Sequence, residues 1–171
     1  LTPGSTQPLS SSDIPESTLA KRALEIGVLC NNATINDDTG NNTGDPTELA
    51  LLEAGRALEL RRDDLLRNTP EVREVSFDPD VMMMATFHEK DDHYDVMVRG
   101  APDAVLDVCS TVAVEDGEDK SLTDELRDIW QARTRELAED GYRLLAMAER
   151  QADDREEDPY HELKLIGLVA L

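Results

Sequence analysis

"VMMMATFHEKDDHYDVMVRG", residues 81–100, decides the fold. Two runs dense in Val, Met, Phe and Thr flank Glu89-Lys90-Asp91-Asp92, four polar residues in a row. Such residues on either side of a short polar break read as two strands joined by a hairpin. Upstream, "EVREVSF" (71–77) has the same character and is joined to them by Asp78-Pro79-Asp80, where proline and two aspartates supply turn chemistry. Together the three runs predict an antiparallel meander. Arg99 is the anomaly within it: a cation ends an apolar strand and is followed at once by Gly100-Ala101-Pro102. A half-buried strand has no use for a charge where the chain turns, so Arg99 needs a partner.

Outside the meander the period changes from two to between three and four. Ser17 or Thr18 can cap a helix through "LAKRALEIGVLCNN" (19–32), in which Leu19, Ala23, Ile26 and Cys30 share a face. After the polar loop "NDDTGNNTGD" (36–45), Asp45 reads as an N-cap and Pro46 as the first residue of the helix "PTELALLEAGRAL". "RDDLLRN" (62–68) is a short helix stopped before Pro70, and "APDAVLDVC" (101–109) is a helix opened by Pro102. Beyond the acidic loop "EDGEDKS" (115–121), Thr123 caps a long amphipathic helix reaching Asp140, with Gly141 as its stop. "YRLLAMAER" (142–150) and "ELKLIGLVAL" (162–171) are the last strands. The expectation is an α+β fold: an antiparallel sheet of about six strands flanked by helices, one domain over 17–171, with residues 1–16 an extended Ser/Pro/Thr-rich lead-in. "LIGLVAL" ends the sequence in the middle of a hydrophobic strand, which reads as a domain cut from a longer chain.

Charge excludes several function classes. Thirty-eight acids face 17 bases for a net −21, and only Lys21, Lys90, Lys120 and Lys164 are lysine. Such a surface repels phosphate backbones, so nucleic acid is not the partner. The acids are interspersed with core residues rather than gathered in a tail, which favours a surface adapted to a high-salt cytoplasm over an acidic interaction or calcium-loading surface. Cys30 and Cys109 have no CxxC or CxxH neighbour and read as buried, reduced thiols; two N-x-T sequons, at Asn32 and Asn41, carry no meaning in such a compartment. No signal peptide and no apolar run long enough to span a bilayer is present, so direct membrane contact is not expected.

No catalytic motif appears: there is no GxSxG, no Walker loop, no HExxH and no glycine-rich dinucleotide turn. "HEKDDH" (88–93) carries two imidazoles and three carboxylates, but its place at a hairpin makes a solvated turn the better reading than a metal site. The loop 36–45 lacks EF-hand spacing, and His161 has no partner in sequence. The informative residues lie at strand ends: Phe77 before Asp-Pro, Arg99 before Gly-Ala-Pro, and Arg143 after Gly-Tyr. A phenyl ring and two cations so placed can form a purine pocket, the ring stacking on the base for about 1–3 kcal/mol. Gly100 would then let a ligand approach the backbone. The same residues also read as one core phenylalanine and two surface arginines, and spacing alone does not separate the two.

Six segments in order nevertheless resemble one family. "ALEIGVLCNNA", "GDPTELALLEAG", "FDPDVMMMATF", "VMVRGAPDAVLDVCS", "GYRLLAMAER" and "LIGLVAL" are similar to successive motifs of the nucleotide-binding domain of P-type cation-transporting ATPases, in the calcium-pump and sodium-pump branch. The likeness covers nearly the whole chain. It implies an ATP-binding domain in which Phe77 stacks on adenine and Glu48 accepts a hydrogen bond from the exocyclic amine. Arg99 stands at the family's pocket lysine, and Gly100 and Ala101 form the floor beside the base. Met84 lines the pocket, Arg143 reaches toward the phosphates, and Leu144 forms an apolar wall.

The resemblance also implies partners: adenine nucleotide, as Mg-ATP in a full-length pump, and the phosphorylation and actuator domains of the same polypeptide. The chain would be a cytoplasmic domain of an integral membrane protein that itself binds no metal. The family's phosphate-accepting Asp-Lys-Thr-Gly-Thr motif is absent here, so the chain would present ATP to an aspartate in another domain and carry no catalytic residue of its own. Two departures stand out. Met82 occupies the place of a family lysine, and Arg99 replaces another with a planar, permanently charged fork. Both shift binding from charge toward stacking. An acidic interaction or calcium-binding module built on loops 36–45 and 115–125 is the alternative reading.

Overall fold

The computed structural model describes residues 17–36 and 40–171. The proposed lead-in, 1–16, lies outside them. Order along the chain is α1 (Thr18–Leu29), α2 (Pro46–Ala57), α3 (Arg62–Asn68), β1 (Glu71–Asp78), β2 (Met83–Lys90), β3 (His93–Gly100), α4 (Pro102–Val108), β4 (Cys109–Val112), β5 (Lys120–Ser121), α5 (Asp124–Glu139), β6 (Leu144–Ala152) and β7 (Leu163–Ala170). All strands form one sheet in the order β1-β2-β3-β6-β7-β4-β5, antiparallel except where β4 runs parallel to β7. The architecture is α+β as the patterning requires, with seven strands.

Local chemistry places the helix starts. The Ser17 hydroxyl accepts from the Ala20 amide, Asp45 accepts from the Thr47 amide ahead of Pro46, and Thr123 caps α5. Each satisfies one of the amides a helix start leaves unpaired. Gly141, at φ 93°, ends the turn after α5 in the left-handed region, which a Cβ disfavours.

Both faces of the sheet are covered. On one, Ala23, Ile26 and Leu29 of α1, its C-cap Cys30 and Leu51 of α2 pack on Met84, Met97, Met147 and Ile166. On the other, Val105 and Leu106 of α4 and Trp130 of α5 pack on Ala85, Phe87, Val98, Ala146 and Leu165. Burying a side chain such as Phe87, fully enclosed, is worth about 1.5–3 kcal/mol. Among the described residues no helix is long and apolar enough to cross a membrane.

Two expectations are corrected. Cys109 opens strand β4 instead of ending a helix, and Lys120-Ser121, assigned to a loop, pairs with β4 as β5. β4 is four residues long and finds β7 far along the chain, and β5 is a two-residue edge, so neither carries enough alternation to be seen in sequence. The thiols are buried and unpaired, and burial pushes each up to about 12.

Candidate functional site

Five strand ends meet at one rim of the sheet. The pairs Asp78↔Met83, Met83↔Gly100, Gly100↔Ala146 and Leu144↔Ala170 bring together the end of β1, the start of β2, the end of β3, the start of β6 and the end of β7. Within β1 the register slips by one residue between Val75, opposite Ala85, and Asp78, opposite Met83. A bulge of this kind re-aims side chains. Counting back from the Asp78–Met83 pair, residue 77 falls on the face of Met84 and Arg99, beneath α1 and α2. Phe77 is 53% exposed there, and Val81 and Met82 of the adjoining turn are exposed as well. It is therefore not a core residue; the buried phenylalanine is Phe87, under the Arg73 guanidinium 4.7 Å from its ring centre.

Arg99 is 8% exposed and its charge is answered inside the protein. Its Nε donates to the Cys30 carbonyl at 2.5 Å and its guanidinium pairs with the Glu48 carboxylate. Cys30 is the C-cap of α1 and Glu48 lies in the first turn of α2. The cation thus meets the negative end of one helix while its partner carboxylate sits at the positive end of the next. Asn31, also fully buried, completes the joint: its amide donates to the carbonyls of Gly27 and Glu48 at 3.0 Å each. An arginine at the end of an apolar strand was the signal in sequence; its protein partners, 51 and 69 residues away, were not legible.

The other residues fall around this pair. Met84 is buried in the core below it, and Leu144 and Ala101 are half-buried. Gly100 is buried, and the protein's own packing leaves no room for a side chain there. A Cβ there would stand 2.4 Å from the Met82 carbonyl oxygen and 2.7 Å from Met83 Cγ. Met82 itself has φ 57°, held by its amide on Asp78 (2.7 Å) and its carbonyl under the Ala101 amide (3.0 Å). Arg143 is exposed, its backbone pinned both ways to Leu171. It lies near Asp45, whose carboxyl is held below the usual range chiefly by Thr47 and in smaller part by Arg143.

"HEKDDH" does not act as a unit. His88 is fully buried in β2, with Nδ1 3.1 Å from the Thr69 carbonyl and Nε2 2.9 Å from Thr86 Oγ1, while His93 sits at the turn between Asp92 and Asp95. No group of three or more metal-ligating side chains occurs among the described residues. Two open hollows, of about 490 and 600 Å³, lie away from Phe77, the first between α2 and α3 and the second beside Arg22 and Lys164.

Comparisons with known proteins place the chain in a family. A family model described as P-type ATPase, cytoplasmic domain N, matches residues 19–171. The chain is 34% identical over 151 residues to calcium-transporting ATPase 1 of Bacillus cereus, covering 86% of this chain and 17% of that protein. It is 30% identical over 155 residues to calcium-transporting ATPase 1 of Lactococcus lactis, covering 88% and 17%. A probable cation-transporting P-type ATPase of Mycoplasma genitalium is 35% identical over 150 residues, covering 84% and 15%. The chain thus spans about one-sixth of the length of these relatives. With a family match running through every element of the sheet, the chain belongs to the cytoplasmic N-domain family of P-type ATPases.

Proposed function

We propose that the chain holds ATP by its adenine end and delivers the γ-phosphoryl group to an aspartate in a separate phosphorylation domain of a longer cation-transporting polypeptide. The observation that carries this is the phenyl ring of Phe77, over half exposed beside the buried Arg99–Glu48 pair, when the other phenylalanine is fully enclosed. An exposed ring costs solvent contact unless something flat covers it, and stacking a base on it returns about 1–3 kcal/mol. Glu48 keeps acceptor capacity after pairing, because an ionised carboxylate offers about four lone-pair sites. It can therefore take the exocyclic amine while Arg99 holds its orientation. Met82 and Val81 supply apolar cover, and Ala101 and Leu144 the flanks.

Charge supports the division of labour. Arg99 is neutralised by Glu48, so Arg143 is the exposed cation named for the phosphate end, and it has Asp45 for a neighbour. Adenine is gripped and the phosphates are left reachable, which suits a domain that carries ATP across a hinge to chemistry performed elsewhere. Within a full-length pump the nucleotide would arrive as Mg-ATP, with the phosphorylation and actuator domains as partners.

Titration of ATP into 15N-labelled protein tests this. Saturable shifts at residues 76–84 and 99–101, weakened at least tenfold by Phe77→Ala with the fold intact, are expected. Equal ATP affinity in Phe77→Ala would sink the reading. Calcium-dependent shifts confined to loops 36–45 and 115–125, with none from ATP, would instead establish the acidic-module alternative.

A further inference from the structure

Glu48 is held at both ends. Arg99 takes its carboxylate, and the Asn31 side chain donates to its main-chain carbonyl at 3.0 Å. Asn31 lies just beyond α1, wholly enclosed, and its side chain is fully engaged. One N–H goes to Glu48, the other to the Gly27 carbonyl at 3.0 Å, and the oxygen accepts from the Ala33 amide at 2.8 Å. The Asn31 backbone amide turns to the Leu29 carbonyl, so its side chain takes the Gly27 carbonyl that a continuing helix would have bonded from the main chain. One neutral side chain thus joins the end of α1, the segment after it and the first turn of α2.

The loop between α1 and α2 leaves this joint through a closed neck. Thr34 and Thr43 exchange backbone hydrogen bonds of 2.8 and 3.0 Å. Gly44, at φ 130°, lies so close to Ala33 that a Cβ on it would stand 2.4 Å from the Ala33 Cβ. Asp45 then accepts from the Thr47 amide at 2.8 Å and starts α2. With the neck shut at Thr34–Thr43 and again at Asn31–Glu48, Glu48 takes its position from α1 and β3 rather than from the loop. The first turn of a helix is short of partners and frays readily. At Glu48 it is tied down.

We propose that Asn31 is a positioning residue for base recognition: by fixing the main chain of Glu48 it sets how strictly the site demands an exocyclic amine. The inference rests on the adenine reading of Phe77 and Glu48. A carboxylate tied at one end only can swing into water when the amine is missing, and loses little. One tied through its main chain and through Arg99 cannot follow, and is left short of a partner. Asn31 is the separable half of this clamp. Removing Arg99 would take away a charge along with a constraint, whereas Asn31 is neutral, and its loss loosens Glu48 without altering the charge of the site. Being fully enclosed, Asn31 touches no nucleotide itself.

The test compares ATP with purine riboside 5′-triphosphate, which carries hydrogen in place of the exocyclic amine, by titration into the 15N-labelled full chain. The parent should bind ATP about tenfold tighter than the analogue, the worth of one hydrogen bond to a charged acceptor. In Asn31→Ala that ratio should fall to about twofold, with the affinity for the analogue itself little changed, since stacking on Phe77 is common to both ligands. In the parent, the Asn31 side-chain N–H signals should move with ATP and stay in place with the analogue. This measurement decides the matter if Asn31→Ala does not fold: signals that ATP leaves unmoved overturn the proposal. So does an Asn31→Ala protein that keeps the parent's ratio, or that weakens both ligands by one factor, as a merely structural role would. Equal binding of the two ligands by the parent overturns it too, while leaving the stacking role of Phe77 standing. Binding of neither ligand by the parent sinks the adenine reading as well.

Discussion

Arg99 and Glu48 close an ion pair between the end of β3 and the first turn of α2, and the same guanidinium caps α1 through the Cys30 carbonyl. One side chain thereby ties three elements together at the rim where Phe77 is exposed. Removing one partner of a buried pair costs about 3–5 kcal/mol, and this pair is slightly exposed, so Arg99→Gln should lose about 3 kcal/mol in urea unfolding. Arg99→Lys retains charge but cannot reach both acceptors in the same way, and should fall between. A double-mutant cycle with Glu48→Gln should give a coupling of about 1 kcal/mol or more. Additive single effects would mean that the two residues act separately.

Phe77→Ala should leave stability almost untouched, within about 0.5 kcal/mol, since the ring is largely in water. Phe87→Ala should cost about 3–5 kcal/mol, because that ring is enclosed in the core. Chemical denaturation of the two variants side by side distinguishes a ring kept for a ligand from one kept for packing. A Phe77→Ala loss near that of Phe87→Ala would place residue 77 in the core after all.

Gly100→Ala addresses why the turn after β3 needs a glycine. The new Cβ would lie 2.4 Å from the Met82 carbonyl, backbone that is pinned from both sides. Overpacking of this kind costs about 1–3 kcal/mol. The loss should be the same with and without nucleotide, since the clash is with the protein itself. A stable Gly100→Ala protein that had lost only ATP affinity would restore the ligand-access role.

Much of this was legible in sequence because it is local. Ser17, Asp45-Pro46, Thr123 and Gly141 mark helix ends through hydrogen bonds within three residues, and the β1–β3 meander declares itself by composition and turns. What was missed is non-local. The slip between Val75 and Asp78 depends on pairing with β2, and β4 finds β7 across more than 50 residues. His88 reads as part of a polar hairpin, yet it lies five residues from His93 on a strand whose Met84, Thr86 and His88 all face inward. In sequence Arg99 stands out as a cation whose partner is read as ATP. That the protein supplies one follows only from how α1 and α2 pack.

His88 gives a pH prediction. Nδ1 faces a carbonyl, which only accepts, so it carries the proton, and Nε2 accepts from the Thr86 hydroxyl; the ring is neutral. Burial, first among the causes, holds it below its ordinary 6.5. Charged groups facing it are Arg62, Arg22 and Asp95. As pH falls below 6.5 the unfolded chain takes up a proton that the folded one refuses, so stability declines toward the lowered folded value. His93 is raised, chiefly by Asp92, and acts with opposite sign, its contribution being lost as pH rises through its folded value. In a His93→Gln background, unfolding between pH 6.5 and 5 should therefore show a decline that His88→Gln removes. The same slope with and without His88 would mean that the imidazole is not the titrating group.

The acidic surface supplies the last prediction. With 38 acids against 17 bases, like-charge repulsion works against the compact state, and at 1 M salt screening reaches within about 3 Å. Thermal midpoints should rise from 0.05 to about 2 M KCl. Exposed pairs such as Arg67–Asp64 lose their small contribution over the same range, but Arg99–Glu48 is mostly shielded from solvent and should keep its own. The double-mutant coupling of Arg99 and Glu48 should consequently change little between low and molar KCl while overall stability climbs. A flat or falling midpoint would remove the high-salt adaptation, and a coupling that vanished with salt would show that water and ions reach the pair.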